Sequence, residues 1–257
     1  MQPSEKLERA ATLLLDISSL LMASGANTNR VNLTLNRFAS VLNCTVSSLI
    51  SHKTLVITVL EEDTNASCTK VQIIPPYAVN FSVISETSIA SWNAINEDWS
   101  IEQMENEIYR IKGIKRYSKI IILIAVSLAG AGFCNLFGGD YLNMAVSFVS
   151  TFIGLLVFQK VHKVKFNVYI RVFLGSFVAS AIASLGIIYQ LGENPQTALA
   201  TAVLFLVPGV PLINSFTDLM DNNILNGMVR FTTGLMTVLA ITLGLFIAML
   251  LFSIKLL

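Results

Sequence analysis

Residues 206–221, LVPGVPLINSFTDLMD, place three helix breakers inside an apolar run and follow them with polar side chains. Pro208 and Pro211 lack the backbone N–H that a helix needs, and Gly209 admits non-helical geometry. Lipid tolerates such a break only where neighbouring helices or a wet cavity satisfy the freed backbone groups. We therefore expect Pro208-Gly209-Val210-Pro211 to interrupt a membrane helix and to face protein or water rather than lipid.

Three polar side chains follow the break at helical spacing. Asn214, Asp218 and Asp221 stand at positions i, i+4 and i+7, so they share one face if the helix resumes after Pro211. An acid in hydrocarbon costs about 2.5–3.5 kcal/mol on insertion scales, so a buried Asp218 indicates a paired or working group. Arg230, at the start of the next apolar run, is either its partner or an anchor at the membrane edge.

The residues around the break form the predicted pathway for a substrate or ion. In such sites loosened backbone and half-helix dipoles hold a small charged solute. The predicted members are Pro208, Gly209, Pro211, Asn214, Asp218, Asp221 and Arg230. Two simpler interpretations stay open, namely that the prolines only kink a packed helix and that the two aspartates lie in a solvated loop.

The composition is that of a membrane protein. Of the 257 residues, 54% are hydrophobic and 13% are charged, whereas soluble domains carry about 25% charged residues. A spanning helix needs about 20 mostly apolar residues, and five runs reach that length. The predicted spans cover about residues 118–137, 141–160, 171–191, 196–217 and 229–254. Small residues crowd the third span, which predicts a tightly packed interior helix, while the fifth is expected to face lipid.

Residues 1–115 carry most of the charge and are predicted to fold as a cytoplasmic α+β domain. Apolar residues at helical spacing open this region, and runs rich in Val, Ile and Thr at 55–60 and 71–74 predict strands beside the polar turn 61–65. Residues 116–257 then form the transmembrane domain, an α-helical bundle of five spans with the fourth interrupted.

Positive charge predicts the orientation. Basic residues precede the first span and fill the link between the second and third, and Lys and Arg favour the cytoplasmic side. They are Lys112, Lys115, Arg116, Lys119, Lys160, Lys163, Lys165 and Arg171. The first twenty residues lack the features of a signal peptide, so we expect a cytoplasmic amino terminus. Five spans then put the carboxyl terminus outside, although Lys255 would be unusual there.

Gly138, Gly139 and Asp140 close the first span. Two glycines make a tight outer turn easily, and this is the favoured interpretation. The alternative is an outer gate with an acid at its mouth. The predicted topology places Asp140 and Asp218 about 30 Å apart, too far for the shared proton of an aspartic protease.

Other classes of function are disfavoured. A net charge of +1 argues against nucleic acid, which is bound by strongly basic surfaces. Cys44, Cys68 and Cys134 show no CxxC spacing, and His52 and His162 have no partners at ligand spacing, so neither a disulfide framework nor a metal site is expected. No cofactor is implied, and no nucleophile, base and orienting group are arranged for an enzyme.

Three stretches resemble the amino-terminal half of the threonine/serine exporter family. They are Ser24-Gly25-Ala26-Asn27-Thr28-Asn29-Arg30-Val31, Phe137-Gly138-Gly139-Asp140 and the run from Val207-Pro208-Gly209-Val210-Pro211-Leu212 to Asp218. The resemblance covers nearly the whole chain and points at Pro208, Gly209, Pro211, Asn214, Asp218, Gly227 and Arg230. The chain departs from the family after Asp218, where Asn222 and Asn223 replace a usual glycine and a frequent acid.

The resemblance implies a subunit of a secondary exporter for a small carboxylate-bearing metabolite, threonine or serine by family name. Succinate or another dicarboxylate is the alternative, since the chain is similar in length to one half of a two-subunit succinate exporter. A second small integral-membrane subunit is then an expected partner, and proton coupling through Asp218 is a prediction. The rival of another class is a membrane-anchored sensor or scaffold.

Overall fold

The computed structural model describes residues 3–51, 53–61, 66–161 and 166–254. His52, the turn residues 62–65, the link residues 162–165 and Lys255 lie outside this part of the chain, and so do the expectations stated for them. The described chain is mostly helical and contains one small sheet.

The chain divides into two compact units. Unit 1 comprises Met1–Arg116 and Val210–Phe231, and unit 2 comprises Tyr117–Gly209 and Thr232–Leu257. Unit 1 therefore includes a segment that the sequence analysis assigned to the transmembrane domain. We call Val210–Phe231 the hairpin segment.

Unit 1 is built from helices around a three-stranded sheet. Its elements before the hairpin segment are α1 (Pro3–Ser24), α2 (Thr28–Val41), β1 (Cys44–Ile50), β2 (Thr54–Glu61), β3 (Ser67–Ile73), α3 (Phe81–Asn96) and α4 (Ile101–Lys112). The strands are antiparallel in the order β1-β2-β3, with Cys44 opposite Glu61 and Thr54 opposite Ile73. The small antiparallel sheet predicted from the Val, Ile and Thr runs is confirmed.

The core of unit 1 follows the two periodicities of its sequence. Along β2, Leu55, Ile57 and Val59 are fully buried and alternate with half-buried neighbours, as expected of a strand with one face on a core. Leu14 on α1 and Phe38 on α2 are also fully buried and belong to the same cluster. Each such side chain contributes about 1.5–3 kcal/mol by leaving water, so this core holds the turn between α1 and α2 in place.

Unit 2 contains the long apolar helices. The remaining elements of the chain are α5 (Lys119–Leu136), α6 (Tyr141–Val161), α7 (Val168–Ile188), α8 (Pro195–Ala202), a 3-10 turn (Leu204–Leu206), α9 (Gly209–Met220) and α10 (Ile224–Leu251). In the described residues, four helices are long and apolar enough to cross a membrane, and a bent pair running from Pro195 to Met220 raises the number to five.

The helix is broken near the predicted place, but the break begins earlier than expected, because α8 already ends at Ala202. The 3-10 turn ends at Leu206 and α9 begins at Gly209, so only Val207 and Pro208 are non-helical there. Pro211 lies in the first turn of α9 rather than before it. Proline is tolerated at that place because the first N–H groups of a helix have no intrahelical acceptor.

Small residues let the helices of unit 2 approach closely. A Cβ on Gly154 of α6 would lie 2.7 Å from the Ala179 Cβ and 3.0 Å from the Gly175 carbonyl oxygen of α7. Eight residues of α7 are buried, namely Val172, Gly175, Ser176, Ala179, Ser180, Ala183, Ser184 and Gly186. The prediction that the third span is a tightly packed helix is confirmed, and the backbone approach is the kind that small residues allow in membranes.

Candidate functional site

Asp218 lies on α9 and is completely buried in unit 1. Its Oδ1 accepts a hydrogen bond of 2.8 Å from the backbone N–H of Thr28, the first residue of α2. The N–H groups at a helix N-terminus have no intrahelical acceptor, and the helix dipole makes that end positive. The Asp218 carboxylate therefore caps a helix that lies 190 positions away in sequence.

Arg230, on α10, is the counter-ion of Asp218. Its Nε lies 3.3 Å from Asp218 Oδ2, and its side chain is only 13% exposed. The Nη2 group donates 2.9 Å to the carbonyl oxygen of Ala26 and lies 3.6 Å from Met22 Sδ. The ion pair predicted as one of two options is present, and each charge offsets the burial of the other.

Two atoms of this ion pair remain without a hydrogen-bond partner. They are Asp218 Oδ2 and Arg230 Nη1, and both are buried. Oδ2 is within ion-pair distance of Nε, yet the two groups are not aligned as a hydrogen bond. More than about 90% of buried polar groups are satisfied in folded proteins, so one unsatisfied acceptor and one unsatisfied donor within the same ion pair indicate capacity for a ligand.

Two asparagines attach the hairpin segment to the same part of unit 1. Asn214 Nδ2 donates 2.7 Å to the Gly25 carbonyl oxygen, as expected for a residue on the polar face with Asp218. Asn226 Nδ2 donates to Thr28 Oγ1 at 3.2 Å and to the Ile50 carbonyl oxygen at 2.9 Å. Asn226 was not among the predicted site residues. It precedes Arg230 by four residues, however, so Asn226 and Arg230 share one helix face.

The turn that receives these contacts depends on Gly25. Its φ of +98° is in the region that favours glycine, and a Cβ there would lie 3.1 Å from the hydroxyl of Tyr77. Burial raises the pKa of Tyr77, and the nearby charge of Arg230 opposes this increase. The turn therefore presents the Gly25 and Ala26 carbonyls and the Thr28 N–H to the hairpin segment.

The bend between α9 and α10 is made by asparagine. Asn222 has a φ of 61°, and the N–H of Asn223 donates 2.7 Å to the Asp218 carbonyl oxygen. Asparagine adopts this left-handed conformation more readily than most residues, so it can form this bend without a glycine. The helices then approach at Gly227, where a Cβ would lie 2.7 Å from Leu219 Cγ.

Asp221 does not join the site, contrary to the sequence prediction. The helix ends at Met220, and Asp221 lies exposed in the turn that follows. Its backbone N–H still donates 3.0 Å to the Thr217 carbonyl oxygen, but Asp221 is exposed to solvent whereas Asp218 is fully buried. The solvated-loop interpretation thus fits Asp221 but not Asp218.

Pro208, Gly209 and Pro211 contribute no polar side chain to the Asp218–Arg230 pair. They lie at the break and in the first turn of α9, and a Cβ added to Gly209 would meet no atom within 4 Å. Their structural effect is to end one helical stretch and begin the next.

Gly138, Gly139 and Asp140 form a tight turn in unit 2. Asp140 Oδ1 accepts 2.8 Å from the backbone N–H of Asn143, and Oδ2 accepts 2.9 Å from that of Glu193. These hydrogen bonds, the one from Asn143 first, lower the pKa of Asp140. One oxygen caps the start of α6 and the other joins this turn to the loop at Glu193, as the turn interpretation expects, and the gate interpretation stays a prediction.

The similarity to known proteins extends over nearly the whole chain. The family model ThrE, described as "Putative threonine/serine exporter", matches residues 12–252. The chain is 26% identical to the "Probable succinate transporter subunit YjjP" of Klebsiella aerogenes over 99% of both chains. It is 25% identical to the protein of the same name from Escherichia coli K12, over 96% of this chain and 97% of that one. No solved structure matches.

Proposed function

Because the chain belongs to the threonine/serine exporter family, we propose that it is a subunit of a secondary transporter. The exported solute is a small carboxylate-bearing metabolite, an amino acid of the threonine or serine type, and the membrane is the cytoplasmic one. Succinate is the second candidate, because the two relatives are named as succinate transporter subunits. The family and these relatives are transport proteins rather than enzymes.

The observation that carries this proposal is the buried Asp218–Arg230 pair with one unused oxygen and one unused N–H. Ionisable groups in apolar helices are expensive to bury and are functional sites by default. A guanidinium recognises a carboxylate through paired charge-assisted hydrogen bonds, and both candidate substrates have a carboxylate. A buried ion pair in a broken helix therefore supports transport over anchoring.

The proposed membrane arrangement follows the charges. Residues 1–115 are cytoplasmic, residues 116–257 form the transmembrane domain, and the carboxyl terminus is outside if the bent pair counts as one span. The packing of the hairpin segment within unit 1 supports a position of Asp218 and Arg230 at the cytoplasmic end. Labelling of single cysteines at Tyr117 and Asp140 from either side of sealed vesicles tests this orientation.

A second membrane subunit is the proposed partner. The word subunit in the names of both relatives supports this, and α10 has a large apolar surface for lipid or protein. Its exposed side chains are Leu235, Met236, Leu239, Leu243, Phe246, Ile247, Leu250 and Leu251. The expectation that the fifth span faces lipid is part of this proposal.

Efflux from vesicles tests the function. Vesicles that contain the chain with its partner are loaded with labelled threonine or labelled succinate, and a pH gradient is applied. We expect export of at least one solute and loss of pH-driven export in Asp218→Asn, while the exposed Asp221→Asn retains it. No export of either solute by the parent would favour the sensor or scaffold. Unchanged pH-driven export by Asp218→Asn would remove Asp218 as the coupling group.

A further inference from the structure

We infer that the N-terminus of α2 and Arg230 together form a carboxylate-binding site, that Asp218 fills this site in the present structure, and that the substrate carboxylate binds by displacing Asp218. This inference rests on the proposed function and names the groups that would hold the solute. We call the Thr28 N–H and the Arg230 guanidinium the cradle.

The contacts of Asp218 are those of a bound carboxylate. Oδ1 accepts a hydrogen bond of 2.8 Å from the Thr28 N–H, and Oδ2 lies 3.3 Å from Arg230 Nε. A helix N-terminus binds anions through its free N–H groups and dipole, and arginine binds carboxylates through its fork of donors. Neither donor is specific for an aspartate side chain, so a free carboxylate of the same size can use both.

Asp218 does not use the cradle fully. Arg230 Nη1 is buried without a hydrogen-bond partner, and so is Asp218 Oδ2. The carboxylate is attached to α9 by one methylene group and reaches Nε at ion-pair distance without an aligned hydrogen bond. A solute carboxylate is not attached to the helix and can approach the guanidinium with both oxygens in line. A tethered occupant that leaves one donor of the cradle and one of its own oxygens without a hydrogen bond is one that a free ligand can replace.

The cradle has supports that do not involve Asp218. Arg230 Nη2 donates a hydrogen bond to the Ala26 carbonyl oxygen. Asn214 donates one to the Gly25 carbonyl oxygen, and Asn226 donates one to Thr28 Oγ1. Asn27 is the N-cap of α2, and its Oδ1 accepts a hydrogen bond of 2.8 Å from the Arg30 N–H, which stabilises the start of the helix. The two donors therefore stay in place when the Asp218 carboxylate leaves.

A displaced Asp218 needs a new partner, and this selects the chemical class of ligand. Its carboxylate is fully buried, and the charge paired with it in the described residues is that of Arg230, which also acts on the phenol of Tyr77. An α-amino acid supplies both halves of the exchange, because its carboxylate enters the cradle and its ammonium pairs with Asp218. A dicarboxylate fills the cradle but brings no cation for Asp218. The site thus fits an amino acid zwitterion better than a dicarboxylate.

Rescue by acetate tests the cradle. Thermal unfolding of the purified full chain is measured in acetate and in chloride at equal ionic strength. In Asp218→Ala the cradle is empty, so we expect acetate to recover at least half of the lost melting temperature, while the parent and the exposed control Asp221→Ala gain nothing over chloride. Adding Arg230→Gln to Asp218→Ala should abolish the effect. Equal stabilisation of Asp218→Ala by acetate and chloride would overturn the inference.

A second variant covers the case in which Asp218→Ala does not fold. Asp218→Asn keeps an oxygen for the Thr28 N–H but gives up the charge, so it competes less well for Arg230. We expect acetate to bind this variant at least about five times more tightly than it binds the parent, a difference of about 1 kcal/mol. Equal or weaker binding contradicts the displacement.

Acetate binding does not need transport, so the two proposals can fail separately. Failed efflux with successful acetate rescue would rule out the proposed function while still supporting the cradle as a carboxylate-binding site.

Discussion

Asp140 and Asp218 both cap a helix N-terminus, but they do so in different ways. Asp140 caps its own helix, α6, and both of its oxygens accept backbone N–H groups. Asp218 caps a helix from a distant part of the chain, has a buried arginine as counter-ion and keeps one oxygen without a hydrogen bond. A carboxylate whose two oxygens both accept hydrogen bonds serves the fold, whereas one with a free oxygen, paired with an arginine that has an unused donor, can serve a ligand.

Removal of the counter-ion should give the largest effect. Arg230→Gln leaves a fully buried Asp218 without its positive partner, and breaking such a pair costs about 3–5 kcal/mol. We expect a large loss of thermal stability in detergent together with loss of efflux. Adding Asp218→Asn should recover part of the stability, because no uncompensated charge then remains. Arg116→Gln is the control, since Arg116 is exposed and its Nη2 donates 3.2 Å to the carbonyl oxygen of Ala78. An Arg230→Gln loss no larger than that of the control would contradict the buried pair.

A packing change should show whether stability and efflux depend more on the hairpin segment or on the helix break before it. Gly227→Ala puts a Cβ 2.7 Å from Leu219 Cγ and 3.0 Å from the Ser215 carbonyl oxygen, and overpacking of this kind costs about 1–3 kcal/mol. Gly209→Ala meets no atom within 4 Å and is the matched control. We expect a lower melting temperature and weaker efflux for the first variant and little change for the second. The opposite order would place the sensitive joint at the break rather than in the hairpin segment.

A change in the turn at Asp140 should affect stability but not transport. Asp140→Ala removes a helix cap and a link to the Glu193 N–H, and loss of a cap costs about 0.5–2 kcal/mol. We expect a modest decrease in melting temperature with efflux per folded molecule retained. Loss of efflux at unchanged stability would instead support the gate, and the comparison between the two aspartates would then need revision.

A half-buried ion pair gives the smallest expected effect. Arg9 Nε donates 2.7 Å to Glu105 Oε1, and this hydrogen bond lowers the pKa of Glu105 from its ordinary value of 4.5. A lowered pKa in the folded state stabilises the fold above that ordinary value, and this stability is lost as the pH falls through the lowered one. Glu105→Gln should therefore cost less than about 1 kcal/mol at neutral pH and progressively less in acid. Melting curves against pH, with the exposed Glu5→Gln as control, check this, and a difference that grows in acid would contradict it.

Sequence patterns predicted the parts of the fold that depend on local spacing. The apolar runs, the alternating residues of β2 and the breakers at Pro208 and Gly209 each act within a few neighbours, so they could be interpreted without knowing what packs against them. The polar face holding Asn214 and Asp218 was found for the same reason. The same spacing also placed Asp221 on that face, whereas Asp221 lies exposed in the turn after α9.

The hydrogen-bond partners of the site residues could not be predicted from local sequence patterns. Thr28 and Asp218 are 190 positions apart, and Ile50 and Asn226 are 176 apart. Nothing in the spacing of either stretch predicts the other, because loop closure over such distances depends on the whole fold. Asn226 was missed since a single asparagine near a helix start is usually a solvated residue.

The turn at Gly25 has a consequence for how this chain can change over time. The hairpin segment reaches the carbonyls of Gly25, Ala26 and Ile50 and the amide of Thr28, so most of its attachment is to peptide groups that every residue possesses. Side chains in that turn can therefore be exchanged without erasing the interface, provided the main chain keeps its path. Correlated substitutions between the two stretches should accordingly be sparse even though they are firmly joined.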